Sequence, residues 1–318
     1  MRRALITGVG GQDGSYLAEL LLERDYEVVG LVRDAASDYP NLAGARDRIR
    51  TVTSNLLDTS SLAQLLRDHG PHEVYNLASP SFVPRSWEHP VETAEFAAVG
   101  VTALLEAIRG VDPAIRMYQA SSSEIFGEPV EVPQTETTPL APVTPYGVAK
   151  AYGHFIVGSY RRRYGLHASC GILYNHESPR RSVSFLPSKV AHGVAAIKAG
   201  RADELVLGDL AAERDWGYAR DYVEAMASML QQDEPADYVI ATGELHSVGE
   251  LVETAFAHAG LDWRAHVRVD ESLKRGQAEL HRLVGDPSRA HTRLDWSPSV
   301  TFEQLVGLLV DAAIVAAA

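Results

Sequence analysis

Three glycines that follow the first apolar segment constrain the fold more than any other feature of this chain. Gly8, Gly11 and Gly14 occur at a spacing of three, after a β-type run and at the start of an amphipathic helix pattern. Such glycines allow a tight turn and let backbone N–H groups approach a pyrophosphate at a helix N-terminus. The motif therefore predicts a dinucleotide-binding loop. Its predicted cofactor-binding residues are Gly8, Gly11, Gln12, Asp13 and Gly14.

Short apolar runs then alternate with longer helical patterns, which indicates a parallel sheet wound with helices. The predicted strands are Arg3–Thr7, Glu27–Leu31, Arg50–Thr53, Glu73–Asn76, Arg116–Ala120 and His167–Leu173. The predicted helices are Tyr16–Arg24, Ser60–His69, Val91–Arg109 and Tyr146–Tyr164. After about Leu173 the pattern changes to shorter elements, at Lys189–Ala199, Asp221–Gln231, Val248–Ala259 and Thr301–Val315. We expect an α/β protein with a Rossmann-like doubly wound parallel sheet, mainly in residues 1–173. A smaller C-terminal substrate-binding α/β part, mainly residues 174–318, should follow, and segments can exchange between the two.

Composition limits the functional classes. The 318 residues are 46% hydrophobic, enough for a sizeable core, and the net charge of −13 argues against nucleic acid or an anionic membrane as the main partner. The apolar stretch Leu305–Ala318 is short and contains Asp311, which favours a packed helix over a membrane span. No signal-peptide pattern precedes the first strand. We therefore expect a cytoplasmic protein, and the scattered histidines predict no metal site.

A Tyr-x-x-x-Lys motif provides candidate redox residues. Tyr146 and Lys150 lie one turn apart on a predicted helix, and a cation beside a phenol favours the phenolate. Tyr146 is thus expected to act as a base below its reference pKa of about 10. With a serine at a preceding strand end and a hydride acceptor, this set oxidises an alcohol to a ketone. Alone, the motif is also compatible with an ordinary helix face.

The end of the second predicted strand bears on cofactor choice. An acidic residue there would bind the ribose hydroxyls of NAD, but this position holds Val32, followed by Arg33. Arg33 can pair with a 2′-phosphate, although Asp34 follows it, and a solvated strand end is the alternative interpretation. We predict NADP, with NAD possible. Asn55 and Leu56 are expected at the adenine edge.

Several longer motifs occur along the chain: Gly-Gln-Asp-Gly-Ser-Tyr-Leu from Gly11, Tyr75-Asn-Leu-Ala78, Tyr118-Gln-Ala-Ser-Ser-Ser-Glu124, Asn175-His-Glu-Ser-Pro-Arg-Arg181 and Arg214-Asp-Trp-Gly-Tyr218. Together they resemble the GDP-mannose 4,6-dehydratase family of the extended short-chain dehydrogenase/reductase superfamily. The resemblance runs from Leu5 to about Asp286. The last two motifs are much narrower than the superfamily-wide motifs and indicate the dehydratase branch.

The resemblance implies a catalytic set of four residues. Ser122 takes the place of a threonine beside the substrate C4 hydroxyl, and Glu124 matches the glutamate that removes the C5 proton and assists loss of water from C6. Tyr146 is then the C4 base, and Lys150 is its partner, which also holds the nicotinamide ribose. Ser123 stands where related dehydratases carry an acidic aspartate, so Glu124 would serve as base and acid in turn.

Binding residues follow from the same motifs. Leu77 and Ala78 are expected beside the cofactor, together with Tyr146 and Lys150. Guanidinium groups bind paired phosphates bidentately, which favours arginines for the sugar-nucleotide pyrophosphate. The predicted substrate-binding residues are Ser81, Ser122, Asn175, Glu177, Arg181, Lys189, Arg214, Arg275 and Glu279. Arg180 is a further candidate for the same ligand.

The chain departs from the family pattern on the nucleotide and sugar side. The loop after Arg33 is shortened, and in the family this loop helps to bind the NADP phosphate and to build a tetramer. Ser79–Val83, Phe185–Lys189 and Arg275–Glu279 also differ from the family sequences. We therefore expect a dimer, with a tetramer possible. The helix Val91–Arg109 should pair with the Tyr146 helix, through Ala97, Val101, Leu104, Leu105 and Ile108 unless the sheet alone buries that stripe.

The expected function is conversion of GDP-mannose to GDP-4-keto-6-deoxymannose. Two alternatives remain at this point. One is a related epimerase, reductase or dehydratase that acts on another nucleotide sugar. The other is a non-catalytic nucleotide-binding protein, against which the intact Ser122, Tyr146 and Lys150 set argues.

Overall fold

The computed structural model describes residues 1–34, 36–273 and 282–317. Its strands are β1 Arg3–Thr7, β2 Glu27–Val32, β3 Arg50–Thr53, β4 Glu73–Asn76, β5 Arg116–Ala120, β6 Ala168–Leu173, β7 Asn175–Glu177, β8 Leu205–Leu207, β9 Glu213–Arg214, β10 Trp216–Tyr218, β11 Tyr238–Ile240, β12 His246–Ser247 and β13 Val267–Val269. Its α-helices are α1 Gln12–Glu23, α2 Thr59–His69, α3 Arg85–Glu88, α4 Pro90–Ala94, α5 Gly100–Val111, α6 Pro145–Tyr164, α7 Leu186–Lys198, α8 Ala219–Met229, α9 Val248–His258, α10 Ser288–Leu294 and α11 Phe302–Ala317.

Seven parallel strands form the central sheet, in the order β11-β6-β5-β4-β1-β2-β3. Helices α1, α8 and α10 cover one face, and α2, α5 and α6 cover the other. Strands buried on both faces are expected to be continuous apolar runs, and all residues of β6 are indeed buried. The predicted doubly wound parallel sheet is confirmed. All six predicted strands belong to it, with ends within one residue of the prediction.

Two local features differ from the sequence prediction. The predicted helix Val91–Arg109 is split by a π-helical turn, Glu95–Val99, between α4 and α5. The sheet also contains β11, which the sequence did not reveal. This strand is only three residues long and comes from the second half of the chain.

The second half of the chain contributes to two cores. Helices α7, α9 and α11 pack around Trp216, Phe256 and Phe302 in a core of their own. In contrast, α8, α10 and β11 join the main sheet, and α8 packs against α1. The division at residue 173 therefore stays a prediction, with segments of the second half built into the first. Within the described ranges, no helix is long and apolar enough to cross a membrane.

A buried hydrogen-bond chain joins the carboxyl ends of three sheet strands. The Thr7 hydroxyl donates to Asn76 Oδ1 over 2.7 Å, and Asn76 Nδ2 donates to Gln119 Oε1 over 2.8 Å. Thr7 Oγ1 also accepts the backbone N–H groups of Leu77 and Ala78, at 3.0 and 3.1 Å. The loops that leave β1, β4 and β5 are therefore held in one fixed arrangement.

Thr7→Val tests this arrangement. The substitution keeps the side-chain shape but leaves two backbone N–H groups without their acceptor, so we expect a loss of about 1–3 kcal/mol in the free energy of unfolding. Urea unfolding monitored by circular dichroism measures it. Thr51→Val, at an exposed position on β3, is the control and should change stability little. Equal stability of the two variants would contradict the proposed role of Thr7.

Candidate active site

A large cleft lies at the carboxyl ends of the sheet strands, where open α/β sheets bind ligands. Its volume is about 1710 Å³, and residues from both halves of the chain line it. The predicted site residues that line the cleft are Gly8, Gly11, Gln12, Asp13, Gly14, Arg33, Asn55, Leu56, Leu77, Ala78, Ser81, Ser122, Glu124, Tyr146, Lys150, Asn175, Glu177, Arg181, Lys189 and Arg214. Arg275 and Glu279 lie outside the described residues. Among the predicted site residues that the structure describes, the further candidate Arg180 is the one that does not line the cleft.

The glycine loop has room for backbone only. Gly8 has a φ of +70°, which disfavours any side chain, and the N–H of Gly11 donates to the Gly8 carbonyl oxygen over 3.0 Å. A Cβ on Gly14 would lie 2.4 Å from that same oxygen. The loop therefore turns tightly into α1 and presents the helix N-terminus to the cleft. This geometry fits the pyrophosphate of a dinucleotide.

Gln12 and Asp13, the first two residues of α1, are bonded to the other half of the chain. Gln12 Nε2 donates to the carbonyl oxygen of His176 over 3.1 Å, and the Ser178 hydroxyl donates to Gln12 Oε1 over 2.8 Å. Asp13 Oδ2 lies 2.9 Å from His176 Nε2. His176 was not among the predicted site residues, because a single histidine in a short strand carries no pattern that marks a site.

The Ser122, Tyr146 and Lys150 side chains meet at the end of β5. Lys150 Nζ donates to the Ala120 carbonyl oxygen over 3.0 Å and lies 5.7 Å from the centre of the Tyr146 ring. Ser122 lies close enough to the Tyr146 hydroxyl to favour its phenolate. Helix α6 begins here because the Thr144 hydroxyl caps it, accepting the Gly147 N–H over 2.9 Å.

Burial governs the acid–base properties of this pair. It lowers the pKa of Lys150 to about 8 and raises the pKa of Tyr146 to about 12, although the Ser122 hydrogen bond favours the phenolate. The prediction of a lowered Tyr146 pKa is therefore wrong when only the groups of the protein itself act on the phenol. Burying a phenolate costs more free energy than the nearby Lys150 ammonium recovers, because that ammonium is directed at the Ala120 carbonyl oxygen.

Glu124 is held close to Tyr146 by a short helical turn. The turn Ser123–Ile125 begins at Ser122, whose Oγ accepts the Glu124 N–H over 3.3 Å. A Cβ on Gly147 would lie only 2.5 Å from the Glu124 carbonyl oxygen, so the turn is packed against the start of α6. The Glu124 charge also acts to raise the Tyr146 pKa. A half-buried carboxylate thus faces the same cleft as the Tyr-Lys pair.

The candidate substrate residues differ in how they are held. The Arg181 guanidinium lies 3.5 Å from the centre of the Phe185 ring, and its Nε is 3.4 Å from the buried carboxylate of Glu177. Lys189 is exposed and donates to the Val206 carbonyl oxygen over 3.0 Å. Arg214 Nη1 donates to the carbonyl oxygen of Glu213 over 2.7 Å.

Arg180 is a correction to the sequence interpretation. Its guanidinium pairs with Glu19 at 2.7 Å, donates to Ser15 Oγ at 2.9 Å and lies 3.9 Å from the centre of the Tyr16 ring. All three partners belong to α1, so Arg180 fixes the loop after β7 to that helix. Its charge is already balanced there, and it does not line the cleft.

At the end of β2, the two charged residues that bear on cofactor choice have different surroundings. Arg33 is exposed in the cleft wall, with its guanidinium carbon 5.9 Å from the centre of the Phe96 ring. The Asp34 carboxylate instead accepts hydrogen bonds from the Ala36 N–H and the Ser37 hydroxyl, both at 2.9 Å. Asp34 is thus engaged in its own turn.

A dinucleotide loop beside a Ser-Tyr-Lys set defines a site of the short-chain dehydrogenase/reductase class. The model of the family described as GDP-mannose 4,6 dehydratase matches residues 5–309. The Arabidopsis thaliana protein GDP-mannose 4,6 dehydratase 1 is 46% identical, over 97% of this chain and 88% of its own length. The human GDP-mannose 4,6 dehydratase is 43% identical, over 97% of this chain and 90% of its own length. The chain belongs to the GDP-mannose 4,6-dehydratase family.

Solved structures with the same fold include enzymes crystallised with cofactor. The dTDP-glucose 4,6-dehydratase of Streptomyces venezuelae, with NAD and TYD bound, has a TM-score of 0.85 and 26% identity, covering 98% of this chain and 96% of that chain. The Thermus thermophilus UDP-glucose 4-epimerase complex with NAD has a TM-score of 0.83 and 29% identity, covering 98% of each chain. The family and the site together make this chain a dehydratase that uses a nicotinamide cofactor and a nucleotide-sugar substrate.

Gly14→Ala tests the cofactor loop. The new methyl group would lie 2.4 Å from the Gly8 oxygen and 2.6 Å from the Val9 Cα, so the loop must shift. We expect dinucleotide binding to weaken by about tenfold or more, a loss of about 1.4 kcal/mol. Fluorescence titration with the cofactor measures it. In the control Gly110→Ala the added Cβ meets nothing within 4 Å, and binding should be unchanged. Unaltered binding by Gly14→Ala would contradict the loop assignment.

Proposed function

We propose that this protein is an NADP-dependent lyase that converts GDP-mannose to GDP-4-keto-6-deoxymannose. The observation that carries the proposal is the position of Glu124, a carboxylate held beside Tyr146 in the cleft that also contains Ser122 and Lys150. A C4 epimerase needs no base at C5 and no elimination at C6. Glu124 therefore favours the dehydratase over the epimerase alternative.

Oxidation at C4 is the first step of the proposed mechanism. Ser122 orients the C4 hydroxyl, and Tyr146 accepts its proton. The oxidised nicotinamide supplies the hydride acceptor and a positive charge that favours the phenolate. Lys150 has three N–H donors, of which one binds the Ala120 carbonyl oxygen, so the ammonium can also hold a ribose hydroxyl.

Elimination follows because the C4 ketone acidifies the C5 proton. Glu124 removes this proton, the C5–C6 double bond forms, and the C6 hydroxyl leaves as water after Glu124 returns the proton to it. Tyr146 then protonates C5 as C6 accepts the hydride that a bound nicotinamide would return, so no net oxidation occurs. Ser123 is buried and has no carboxyl group, which leaves Glu124 to act as base and acid in turn.

The nucleotide is proposed to bind in the second half of the cleft. Asn175, Arg181, Lys189 and Arg214 all line it, in a chain whose net charge is −13. Planar guanidinium groups bind paired phosphates bidentately, and the stacking of Arg181 on Phe185 fixes the plane of its guanidinium. Arg275 and Glu279 remain sequence-based candidates for the same nucleotide.

NADP is proposed as the cofactor because of the contrast between Arg33 and Asp34. Arg33 lines the cleft with an exposed guanidinium, whereas the Asp34 carboxylate is occupied by its own turn. A guanidinium attracts a 2′-phosphate, and the free carboxylate that NAD enzymes use for the ribose hydroxyls is not offered here.

We propose a homodimer whose interface uses other residues than those predicted from the sequence. Val101, Leu104, Leu105 and Ile108 are buried against the sheet, and Ala97 is buried in the π-helical turn, so none of them is available to a partner. The exposed apolar residues of α4, the π-helical turn and α6 form what we call the paired-helix face. It consists of Val91, Val99, Val148, Tyr152 and Phe155, which are 70, 54, 54, 46 and 59% exposed.

The continuity of this face supports a second copy of the chain as its partner. Val148, Tyr152 and Phe155 recur at helical spacing along one side of α6. The Tyr152 hydroxyl lies 3.2 Å from Thr102 Oγ1 of α5, so the two helices present a joint surface. Two such helix pairs can pack as a four-helix bundle. The tetramer alternative relies on the loop after Arg33, which is shortened in this chain.

The substrate assignment is tested with a panel of GDP-, UDP-, CDP- and dTDP-hexoses. The purified protein with NADP should convert GDP-mannose to a product that has lost one water, detected by mass spectrometry. Loss of water from another nucleotide sugar in preference to GDP-mannose would refute the substrate. Exchange of the C4 configuration without loss of water would refute the dehydratase proposal.

Glu124→Gln should separate the two half-reactions. C4 oxidation needs Tyr146 and is expected to continue, so reduced cofactor accumulates and absorbs at its nicotinamide band. Solvent deuterium should no longer enter C5, since the base is missing. Tyr146→Phe is the matched control and should prevent cofactor reduction itself. A normal rate of dehydration by Glu124→Gln would remove this residue from the mechanism.

Arg33→Ala should reduce NADP affinity and leave NAD affinity unchanged, because only NADP carries the 2′-phosphate. An exposed ion pair contributes on the order of 1 kcal/mol, so the loss should be about fivefold or more. Calorimetric titration with both cofactors measures the preference, and NAD serves as the internal control. Equal affinity of the unmodified protein for the two cofactors would contradict the proposal.

Phe155→Glu should produce a monomer, because it places a charge at the centre of the paired-helix face. Val315→Glu, at an apolar position on α11 that is 77% exposed, is the control and should leave assembly unchanged. Sedimentation equilibrium at micromolar concentration gives the mass of each protein. A monomeric unmodified chain would discard the interface, and a tetramer would show that the shortened loop does not prevent further assembly.

A further inference from the structure

His176 is held by two groups that can only accept hydrogen bonds. Its Nδ1 lies 2.7 Å from the Tyr174 carbonyl oxygen, and its Nε2 lies 2.9 Å from Asp13 Oδ2. A carbonyl oxygen has no proton to donate, so Nδ1 must carry one. Nε2 must carry another if the Asp13 carboxyl is ionised. The ring would then be an imidazolium.

Asp13 meets this condition. Its second oxygen, Oδ1, accepts a hydrogen bond from Gln12 Nε2 over 3.0 Å, and it lies in the first turn of α1, where the helix dipole favours an anion. Burial would raise its pKa, but the His176 charge and hydrogen bonds from His176 and Gln12 lower it to about 2. Asp13 and His176 therefore form a buried ion pair at the base of the glycine loop.

The surroundings of the pair decide what its charge affects. Arg181, in the loop after β7, opposes the imidazolium charge, and Glu177, next to His176 in β7, interacts with it favourably. The Tyr222 ring of α8 stacks on the imidazole with centres 4.6 Å apart. From β10, Gly217 pairs with His176 in register and brings no charge. On the other side, Lys150 of α6 lies within the field of Asp13.

This placement puts a negative charge where a dinucleotide needs positive potential. Asp13 lines the cleft at the N-terminus of α1, the position at which the glycine loop presents its N–H groups to a pyrophosphate. An uncompensated carboxylate there would repel the phosphates at short range and in a partly buried setting, where charges are weakly screened. Lys150 and the helix dipole offset only part of that effect.

We propose that His176 is a positioning residue for the cofactor, whose imidazolium form cancels the charge of Asp13 beside the pyrophosphate. The pair also fixes the glycine loop to β7, so the loop that binds the cofactor is set by the half of the chain that binds the nucleotide sugar. The inference rests on the dinucleotide site and not on the identity of the sugar. Its failure is thus distinguishable from failure of the proposed dehydratase reaction.

The proposal has a defined pH dependence. Burial lowers the pKa of His176, but Asp13 more than offsets this, and the net pKa lies above the ordinary value of about 6.5. The pair is therefore fully formed below that ordinary value and is lost as the pH rises through the raised pKa. Above it, Asp13 is left uncompensated and cofactor affinity should fall. By linkage, bound cofactor should raise the His176 pKa further.

The experiment measures NAD affinity by calorimetry from about pH 6 to about pH 9, a range that spans the ordinary histidine pKa of about 6.5. NAD is chosen because it has no 2′-phosphate to titrate. His176→Gln keeps a donor toward Asp13 but removes the charge, and should weaken binding about tenfold at low pH. The ratio of the two affinities should approach one at high pH. Lys150 titrates in both proteins, so its contribution cancels in the ratio.

Two further variants complete the test. Asp13→Asn in the His176→Gln background removes the uncompensated carboxylate and should recover most of the lost affinity at low pH. Asp13→Asn alone should move the His176 titration to lower pH, which keeps the test valid if His176→Gln folds poorly. His258→Gln is the matched control, because His258 Nε2 lies 2.8 Å from Asp311 Oδ1 in a histidine–aspartate pair outside the cleft, and it should retain the pH profile of the unmodified protein for NAD. A ratio that is constant with pH, or no recovery in the double variant, would overturn the proposal.

Discussion

The hydrogen-bond chain of Thr7, Asn76 and Gln119 is the constraint on which the site depends. Each of these residues ends or nearly ends a strand, and the loop that follows each strand carries part of the chemistry. The glycine loop leaves β1, the segment beginning at Leu77 leaves β4, and the Ser122–Glu124 turn leaves β5. A side-chain network buried between strand ends therefore sets the relative positions of the cofactor loop and the catalytic residues, which lie far apart in sequence.

The parallel sheet could be predicted because its signals are local. Buried strands are short continuous apolar runs, and helices between them have local signals of their own, as the Thr144 cap and Pro145 show for α6. Features that depend on tertiary contacts could not be predicted. The strand β11 has three residues and exists because β6 offers it an edge, and the π-helical turn before α5 carries no sequence signal that we recognise. The residues expected at the dimer interface were buried by the sheet instead, because periodicity identifies an apolar side but not what covers it.

The candidate site likewise has features that the sequence predicts and features that depend on tertiary contacts. Spacing and motif resemblance selected residues that the structure gathers in one cleft. They did not reveal partners: Arg180 and Arg181 are adjacent in sequence, yet one pairs with Glu19 of α1 and the other stacks on Phe185 in the cleft. The Tyr146 pKa was misjudged for a related reason, since the effect of burial depends on the folded environment and not on the Tyr-x-x-x-Lys spacing. His176 was missed because its importance comes from Asp13, which is 163 positions away along the chain.

The bonds between α1 and the loop after β7 have a consequence for how long the cofactor stays. Gln12 and Asp13 bind the His176–Ser178 segment, and Arg180 binds Ser15 and Glu19, so the phosphate loop is tied to the opposite wall of the cleft at several points. A dehydrogenase with such ties would exchange spent coenzyme slowly, and turnover would suffer. A reaction that returns its hydride to the product leaves the coenzyme as it was and needs no exchange. The fixed loop is therefore compatible with turnover, because each cycle restores the coenzyme without exchange.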